Sequence, residues 1–259
     1  KVVELADKGQ VLYGEGLKYG TEHFPTQTRV GKPIGAFYLY KTNGLFQSNE
    51  EARQYVNADG DEYQPFADAG DIRYVDVNGD GYIDDDDKVY CGSGIPTLEV
   101  NLNFSAGYKG FDLSVVLGSA WGHKIYNGNK YFYEGMNSGS NFLTSSLNVW
   151  TPQNTNTNIP RAIFNDPNGN LKESDRFIEK GDFVRLRQLQ LGYTLPKKIM
   201  QKVFIERLRF YVSGENLFTI TGYDGIDPEF SRVSVLNTGI DKLIYPFTRS
   251  FTVGAQLTF

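Results

Sequence analysis

The chain has 259 residues and a formal net charge of −5, and it lacks the Lys/Arg cluster that a nucleic-acid binder needs. Its 28 Gly, 17 Tyr and 18 Phe residues favour β-strands, tight turns and aromatic girdles over a helical bundle. No apolar run approaches ~18 residues, which excludes a transmembrane helix but not a membrane barrel, whose strands alternate in polarity.

The first 97 residues are predicted to be the end of one barrel strand followed by a large external segment. Lys1–Leu5 is interpreted as the tail of an upward strand, and residues 6–97 as the external segment. Pro33–Tyr40 predicts a strand within that segment, although a membrane strand is also compatible with its residues. Cys91 is the single cysteine and is interpreted as an ordinary thiol without a disulfide or zinc partner.

The most specific local motif is an acidic loop at residues 76–87, Asp-Val-Asn-Gly-Asp-Gly-Tyr-Ile-Asp-Asp-Asp-Asp. It matches the calcium-loop pattern, in which oxygen ligands recur at fixed positions and a glycine makes the turn. Asp at the last position replaces the usual bidentate Glu, which predicts weaker affinity. The predicted ligands are Asp76, Asn78, Asp80, the Tyr82 carbonyl, Asp84 and Asp87.

The residues on either side of this loop, Asp71–Val75 and Lys88–Tyr90, are predicted to be short strands. The loop therefore lacks the helix pair whose opening makes a calcium sensor. Two interpretations stay open: a bound Ca²⁺ that stiffens an external loop, or a solvated turn of Asp, Asn and Gly residues without metal.

The clearest hairpin joins Leu98–Tyr108 to Phe111–Trp121 through the two-residue turn Lys109-Gly110. Both arms alternate apolar and polar residues, and a two-residue turn with Gly is a strong hairpin signal. Each arm has about eleven residues, which at ~3.4 Å per residue and a tilt near 45° spans roughly 26 Å. That span is close to the apolar band of an outer-membrane barrel.

A second strand pair is predicted at Asp182–Thr194 and Arg207–Phe218, joined by a connection around Pro196–Lys198. The apolar residues of the first strand change face partway along it. This change predicts either a bulge near Arg187 or the emergence of the strand above the membrane.

The last nine residues, Phe251–Phe259, alternate strictly between apolar and polar side chains and end on an aromatic residue. Because the side-chain period of a strand is two, one face of this strand meets an apolar medium. The pattern suggests an outer-membrane barrel strand with Phe259 as its barrel-assembly terminal residue. A soluble, half-buried edge strand would show the same alternation.

The connections between the predicted strands are short at one end and long at the other, as in barrels with periplasmic turns and extracellular loops. The long connections are residues 122–181 and 219–246, so the final strand is predicted to run down to a periplasmic C-terminus. Five strands do not close a barrel, and an open edge in hydrocarbon leaves backbone groups unpaired at several kcal/mol each. Further strands of a longer protein are therefore expected upstream.

Candidate catalytic chemistry is sparse. His23 and His123 are isolated, with no Ser or Cys in the context of a nucleophile, and are interpreted as surface or loop residues. The sequence contains no phosphate-binding loop or dinucleotide fingerprint. No pattern places two carboxylates across a cleft. The chain is not predicted to be an enzyme.

Several motifs, in this order along the chain, resemble the C-terminal part of the SusC/RagA family of TonB-dependent outer-membrane transporters. The most distinctive is Gly70-Asp-Ile-Arg-Tyr-Val-Asp-Val-Asn-Gly-Asp-Gly81, followed by Ile83-Asp84. The resemblance covers nearly the whole chain. The other motifs are Lys1–Leu5, Gly31–Tyr38, Gly44–Phe46, Tyr108–Asp112, Asn216–Phe218, Gly225–Glu229 and Phe247–Phe259.

The resemblance implies an all-β fold, in which antiparallel strands form the C-terminal section of a barrel of about 22 strands with long extracellular loops. It implies import of oligosaccharides or oligopeptides across the outer membrane of a Bacteroidetes-type bacterium. A SusD-like surface lipoprotein would be the lid, and TonB would supply energy through the N-terminal part. That part, with the plug and the remaining barrel strands, is expected upstream of this chain.

Three segments, residues 6–97, 122–181 and 219–246, are expected to help form the external cavity and the lipoprotein contact. Their aromatic side chains either stack on sugar rings or pack the loops, and no individual substrate-binding residue is assigned. The alternatives are a soluble calcium-binding β module that recognises carbohydrate and a small self-sufficient barrel. Dependence on detergent separates the soluble module from a transporter.

Overall fold

The computed structural model describes residues 1–7, 9–19, 21–134, 141–200, 205–229 and 234–259. In these ranges no helix has both the length and the apolar character for crossing a bilayer. Short helices lie at α1 (Asn49–Arg53), α2 (Gly128–Tyr133) and α3 (Lys197–Met200). The strands are β1 Leu12–Tyr13, β2 Leu17–Tyr19, β3 Thr21–His23, β4 Thr26–Thr28, β5 Ala36–Leu39, β6 Thr42–Leu45, β7 Ile72–Tyr74, β8 Val89–Ser93, β9 Leu98–Tyr108, β10 Phe111–Trp121, β11 Lys124–Asn127, β12 Ile178–Lys180, β13 Phe183–Thr194, β14 Arg207–Thr221, β15 Ile240–Asp241 and β16 Ser250–Thr258.

The chain forms two compact units that interleave along the sequence. The predicted division at residue 97 differs from this one, because parts of both long connections carry core residues that pack with the first 95 residues. Unit 1 consists of Lys1–Ile95, Lys124–Glu179 and Ser231–Ile244, and unit 2 of Pro96–His123, Lys180–Phe230 and Tyr245–Phe259.

Unit 1 contains a four-stranded antiparallel sheet in the order β1-β4-β5-β8 and a three-stranded sheet in the order β12-β11-β15. Two ribbons, β2-β3 and β6-β7, complete its strands in the described ranges. The strand predicted within Pro33–Tyr40 is confirmed as β5, whose residues are all buried. The short strands predicted on both sides of the acidic loop are confirmed as β7 and β8.

An aromatic core stabilises unit 1. Phe37 and Leu39 of β5 are fully buried together with Tyr126 of β11, Tyr131 of α2 and Phe177. The ring centroids of Phe37 and Tyr126 are 6.4 Å apart, and those of Tyr126 and Phe177 are 5.5 Å apart. Burial of one large apolar side chain contributes roughly 1.5–3 kcal/mol. Distant parts of the sequence therefore share one core.

Lys1–Leu5 is not a strand in the structure, and its role as the end of a barrel strand stays a prediction. The Val2 N–H donates to the Lys32 carbonyl at 2.9 Å, and the Gly31 N–H donates to the Val2 carbonyl at 2.9 Å. Pairing at one residue fixes this segment locally but does not build the repeating ladder that defines a strand.

Unit 2 is built on a five-stranded antiparallel sheet in the order β16-β14-β13-β10-β9. All five strands that the sequence predicts after residue 97 are confirmed, and β9 and β10 match the predicted hairpin arms at both ends. The described strands do not close into a barrel, because β9 and β16 are the two edges of the sheet.

The hairpin turn between β9 and β10 has a left-handed backbone at both residues, with φ of 47° at Lys109 and 89° at Gly110. A two-residue turn of this hand matches the twist of the strands it joins. The pairing runs without a shift from Phe111 and Tyr108 to Trp121 and Leu98. The register therefore determines which side chains share a face.

A bulge at Arg187 keeps the apolar residues of β13 on one face. In the register against β10, Gln188 pairs with Val116 and Leu186 pairs with the next residue, Leu117, so Arg187 is skipped. One extra residue reverses the alternation along a strand. The apolar residues before and after the bulge consequently lie on the same side, and the predicted bulge is confirmed.

Cross-strand pairing places the large apolar side chains of the sheet mainly on one side, here called the apolar face; the other side is the polar face. No second sheet covers either face in the described part of unit 2, and β9 is exposed at every residue. Exposed members of the apolar face are Leu98, Val100, Leu102, Phe104, Tyr108, Phe111, Trp121, Leu191, Phe210, Val212, Phe218, Ile220, Phe251, Val253 and Leu257.

The connections of this sheet differ in length at its two ends. At the end where Tyr108 lies, the strands are joined by residues 109–110 and 195–206. At the end where Trp121 lies, they are joined by residues 122–182 and 222–249. The predicted alternation of short and long connections is confirmed.

Candidate functional site

The acidic loop, residues 76–87, follows β7 and ends in a 3₁₀ turn directly before β8. Asp76 closes its first half, because one carboxylate oxygen accepts from the Gly79 N–H at 2.6 Å and the other from the Gly81 N–H at 2.9 Å. Gly79 and Gly81 have φ of 79° and 93°, in the left-handed region that favours glycine. These glycines let the chain wrap around the Asp76 carboxylate.

Asp87 closes the second half of the loop. It is fully buried, and its Oδ1 accepts from the Val77 N–H at 2.7 Å and the Asn78 N–H at 3.3 Å. Its Oδ2 accepts from the Asp84 N–H at 3.0 Å, while the Asp84 carboxylate accepts from the Asp86 N–H at 2.9 Å, which is a capping box. The last predicted calcium ligand therefore fastens the two ends of the loop together.

Asn78 and Asp80, two further predicted ligands, also accept hydrogen bonds within the loop. Asp80 accepts from the Tyr82 N–H at 3.0 Å and from the Asn78 amide at 2.9 Å. A carboxylate has about four acceptor sites, so capacity remains, and the hard oxygens of this loop fit calcium. Across the described ranges, no three His, Cys, Asp or Glu side chains converge as at a metal centre. Calcium binding stays a prediction.

The loop concentrates negative charge, because half of its twelve residues are Asp. The negative charge of the loop also affects Tyr63. Desolvation and the carboxylates of Asp76, Asp80 and Asp87 raise the pKa of the Tyr63 phenol. Desolvation opposes ionisation of Asp76, but the backbone N–H groups that it accepts hold its pKa below the ordinary value. The Asp76 carboxylate is therefore ionised at neutral pH.

A series of paired side chains, here called the ionic chain, connects the acidic loop to the rest of unit 1. The Tyr40 hydroxyl donates to Asp85 Oδ1 at 2.8 Å, and Lys88 Nζ lies 2.8 Å from the same oxygen. Lys88 Nζ also lies 2.6 Å from Glu173 Oε1. Glu173 Oε2 lies 2.6 Å from His23 Nδ1. The ionic chain thus joins four separate parts of the sequence.

Burial and pairing together set the charge states within the ionic chain. The side chains of Lys88 and Glu173 are each 4% exposed. Burial lowers the pKa of Lys88, but Glu173 and Asp85 outweigh burial and raise it above its ordinary value. Burial raises the pKa of Glu173, but His23 and Lys88 outweigh burial and lower it. Removal of Glu173 would leave the buried Lys88 with only the exposed Asp85 carboxylate, and removal of Lys88 would leave the buried Glu173 with only His23.

Side chains take the place of a neighbouring strand along one edge of β7. Gln64 donates to the Ile72 carbonyl at 2.9 Å and accepts from the Tyr74 N–H at 2.8 Å. Asn170 accepts from the Ile72 N–H at 2.8 Å and donates to Asp71 Oδ1 at 2.9 Å. These contacts satisfy buried backbone groups, so the strand that leads into the acidic loop is held in a defined position.

Arg161 fixes the start of the same strand. Its Nε and Nη2 each lie 2.9 Å from a different oxygen of Asp71, which is fully buried. Paired contacts of this kind add geometric specificity as well as energy. The sequence did not predict the roles of Arg161, Asn170 or Glu173, because no local pattern links residues about ninety positions apart.

A second ion-pair cluster lies on the polar face of unit 2 and was not predicted either. Arg185 is 1% exposed and pairs with Asp227, and Arg187 Nη2 lies 2.7 Å from Glu229 Oε1. Asp227 also accepts from the Phe247 N–H at 3.1 Å. The cluster ties the segment after β14 to the bulge of β13.

His23 and Cys91 are half-buried, and His123 is buried. His23 lies in β3 with its side chain 15% exposed, so its prediction as a surface or loop residue is wrong. His123 lies outside the strands but is only 6% exposed. Aromatic neighbours explain this burial, with ring centroids 5.9 Å from Tyr131 and 6.4 Å from Phe183 respectively. Burial raises the pKa of Cys91 to about 11, so its thiol is neutral at pH 7.

The aromatic side chains of the long segments fall into two groups. Tyr126 and Phe177 pack in the core of unit 1, whereas Phe164 and Tyr245 are 84% and 82% exposed. Packing therefore explains the first group, and no cargo ligand is assigned to the second. Phe259 follows β16 and is 84% exposed, and its role in barrel assembly stays a prediction.

Comparison with known proteins found no matching family model. Over its whole length the chain is 30% identical to TonB-dependent receptor P3 of Formosa agariphila and covers 25% of that protein. Over 95% of its length it is 28% identical to TonB-dependent receptor SusC of Bacteroides thetaiotaomicron, of which it covers 21%. The chain thus spans about a quarter of the length of the curated relatives that it matches.

Solved structures share its fold. The structure of the RagAB peptide transporter aligns with a TM-score of 0.69 at 22% identity, over 91% of this chain and 24% of that chain. The RagAB peptide importer in its open-open state aligns with a TM-score of 0.70 at 22% identity, over 99% of this chain and 25% of that chain.

Proposed function

We propose that this chain, whose resemblance to the SusC/RagA family of TonB-dependent receptors the relatives confirm, is part of the barrel wall and external segments of an outer-membrane importer. The importer would take up oligosaccharides or oligopeptides with energy from TonB. The relatives are receptors and transporters by name, which fits the expectation that the chain is not an enzyme.

The observation that carries this proposal is the exposed apolar face of unit 2. The largest apolar patch on a soluble monomer covers about 300–600 Å², the area of a handful of side chains. Here exposed Leu, Val, Ile, Phe, Tyr and Trp side chains extend across all five strands, and Val253 alone is 83% exposed. Contact with water gives such a face an unfavourable free energy, whereas contact with lipid acyl chains would not.

The connections support an orientation for the wall. Barrels of the outer membrane have short periplasmic turns and long extracellular loops. Residues 109–110 and 195–206 would then face the periplasm, as would the end of β16. Residues 122–182 and 222–249 would extend outside the cell, together with the segment before β9.

The proposed partners follow from this placement. The plug and the remaining barrel strands would come from the same longer protein, and TonB would act through its N-terminal part. A SusD-like lipoprotein would close over the external segments, and outer-membrane lipid would surround the wall. RagAB is described as a peptide importer, so peptides are one candidate cargo for this chain and oligosaccharides are the other.

Detergent dependence tests the proposed function. The full-length protein should partition with the outer membrane and require detergent for extraction. Its mobility on electrophoresis should differ between unboiled and boiled samples. A protein that remains monodisperse in detergent-free buffer, with the apolar face of unit 2 covered by another protein layer, would instead favour a soluble calcium-binding module that recognises carbohydrate.

We also propose that the acidic loop binds Ca²⁺ outside the cell and is stiffened by it. The supporting observations are six carboxylates within twelve residues, glycines that wrap the chain around Asp76, and the electronegative field felt by Tyr63. Affinity should be weak, with a Kd of about 10⁻⁴–10⁻³ M as in extracellular modules.

Calcium titration of the full-length protein tests this second proposal. Added Ca²⁺ should protect residues 76–87 from proteolysis, and Asp80→Asn or Asp84→Asn should weaken that protection about tenfold or more. Asp61→Asn, at an exposed carboxylate outside residues 76–87, is the matched control and should leave it unchanged. Equal protection in all variants, or none with wild type, would show that the loop is a bare turn.

A further inference from the structure

Glycines on the polar face of unit 2 lie mostly beneath long side chains. At three of the four glycine positions on this face, an added Cβ would collide with a neighbouring side chain. The glycines and the residues that cover them are Gly118 with Arg187, Gly192 with Asp112 and Arg209, and Gly254 with Tyr211. In a strand, Gly is costly in conformational entropy and packs no side chain, so each of these positions needs a compensating contact.

Three of the four glycines fall in a single row across the sheet. Register places Gly107, Asp112, Gly192, Tyr211 and Gly254 directly opposite one another on successive strands from β9 to β16. Glycine therefore alternates with a larger residue across all five strands. Such alternation lets a long side chain lie flat over the neighbouring backbone, which restores the packing that glycine lacks.

The covered members of the row show what kind of side chain lies over glycine. Arg209 Nε lies 2.9 Å from Asp112 Oδ1, and this ion pair crosses directly above Gly192. The phenol ring of Tyr211 lies over Gly254. The covering guanidinium and phenol are both planar and belong to β14, and the Asp112 carboxylate of β10 completes the cover of Gly192.

Gly107 is the exception in this row. The nearest described atom that a Cβ there would meet is the Phe111 carbonyl oxygen, at an ordinary contact distance of 3.7 Å. The backbone of Gly107 does not have a positive φ, so this position suits any residue type. It lies on β9, an edge of the sheet, where the row reaches its end. Neither backbone conformation nor crowding within the described residues requires glycine here.

We propose that Gly107 receives a long planar side chain, Tyr or Arg, from a further strand that pairs with the free edge of β9. This inference rests on the proposed function, because that strand would belong to the barrel of the same longer protein. The edge of β9 presents backbone N–H and C=O groups that hydrocarbon leaves unsatisfied, so a paired strand is required there. The row would then continue its alternation into that strand.

Alanine substitution in the full-length protein tests the proposal by the sign of its effect. If Gly107 is covered, Gly107→Ala should lower the thermal midpoint by several degrees, as Gly254→Ala should through its collision with Tyr211. If it is not covered, Gly107→Ala should be neutral or stabilising, because Ala restricts the unfolded chain. Ser105→Ala, two residues away on the same strand and face, is the control and should change little.

A double variant identifies the covering residue. The antiparallel register of that further strand would place either a Tyr directly opposite Gly107, as Tyr211 lies opposite Gly254, or an Arg two residues from that position, as Arg209 lies two residues from the partner of Gly192. Shortening that residue to Ala should remove most of the loss caused by Gly107→Ala, so that the two losses are not additive. Small residues at both of these positions, additive losses, or an unchanged midpoint in Gly107→Ala would overturn the proposal.

The outcomes also separate this inference from the proposed function. If the protein needs detergent but Gly107→Ala behaves like Ser105→Ala, only the covering side chain is refuted. If the protein is soluble without detergent, the barrel and the covering strand are refuted together, while Gly254→Ala should still be destabilising because Tyr211 belongs to this chain.

Discussion

The two units of this chain use their apolar side chains in opposite ways. Unit 1 buries Phe37, Tyr126 and Phe177 in a common core and pairs its interior charges. Unit 2 exposes residues such as Phe104 and Val253 on a face that extends over five strands. One chain therefore contains both an inward and an outward arrangement of similar residues.

This difference fits the proposal that the two units meet different solvents. In water, burial of apolar surface is the dominant favourable term in folding, and unit 1 follows that rule. In hydrocarbon, the stricter requirement is that every backbone group be hydrogen-bonded. The inner strands of unit 2 are paired along both edges, while their apolar side chains are left on the outside. The same alternation would be unfavourable on a water-exposed sheet.

The largest expected effect is a loss of stability when an interior ion pair of unit 1 is broken. Glu173→Ala leaves the buried Lys88 without its main partner and should cost about 3–5 kcal/mol. Glu62→Ala is the control, because Glu62 pairs with Arg53 on the surface, with side chains 31% and 42% exposed, and should cost about 0–1 kcal/mol. Limited proteolysis of the full-length protein in increasing urea measures both. Equal resistance of the two variants would contradict the importance of the ionic chain.

The next largest effect is expected from an Arg substitution on the apolar face of unit 2. Val253→Arg should cost about 2–4 kcal/mol if the apolar face meets the bilayer interior. In water the same change at an 83% exposed position should stay within about 0.5 kcal/mol. Thr252→Arg, one residue away on the polar face, is the control and should cost far less. The folded fraction after refolding into lipid is the readout, and matching small losses at both positions would count against lipid contact.

The smallest effect is a pH dependence confined to unit 1. The folded pKa of Glu173 lies below its ordinary value of 4.5, so its stabilisation is complete above that pH and is lost as the pH falls through the lowered pKa. The folded pKa of Lys88 lies above 10.5, so its stabilisation is lost as the pH rises through the raised pKa. Protease resistance of unit 1 should therefore be constant between about pH 5 and 10 and decline outside that range.

Glu173→Gln provides the matched test of this assignment. Gln keeps the shape of the side chain but does not titrate, so the decline of protease resistance in acid should become shallower. At alkaline pH the protease resistance of this variant should be lower than that of the wild type throughout. An acid decline identical to that of the wild type would assign the titration to other carboxylates.

The sheet of unit 2 could be predicted from sequence because its signals are local. Alternation along Leu98–Tyr108 and Phe111–Trp121, with Lys109-Gly110 between them, states both the pairing and the face of every residue. Even the irregularity at Arg187 was visible as a break in that alternation. A strand with one face in lipid and one in a polar interior repeats its environment every two residues.

Unit 1 could be predicted only in fragments. The acidic loop and its flanking strands were recognisable, because turn chemistry is local. The contact of Lys88 with Glu173 joins residues 85 positions apart, and the hydrogen bond from Asn170 to Asp71 joins residues 99 positions apart. Polar side chains that replace a strand edge carry no periodic signal. The interleaving of the two compact units along the chain could not be predicted for the same reason.

The most direct test of the central claim measures which face of unit 2 touches lipid. A nitroxide side chain is placed at Val253 and, separately, at Thr252 of the full-length protein in a bilayer. Oxygen concentrates in hydrocarbon, and a nickel chelate stays in water. The ratio of oxygen to nickel collisions should be high at Val253 and low at Thr252. A label at Val253 that collides with nickel as readily as one at Thr252 would contradict lipid contact at the apolar face.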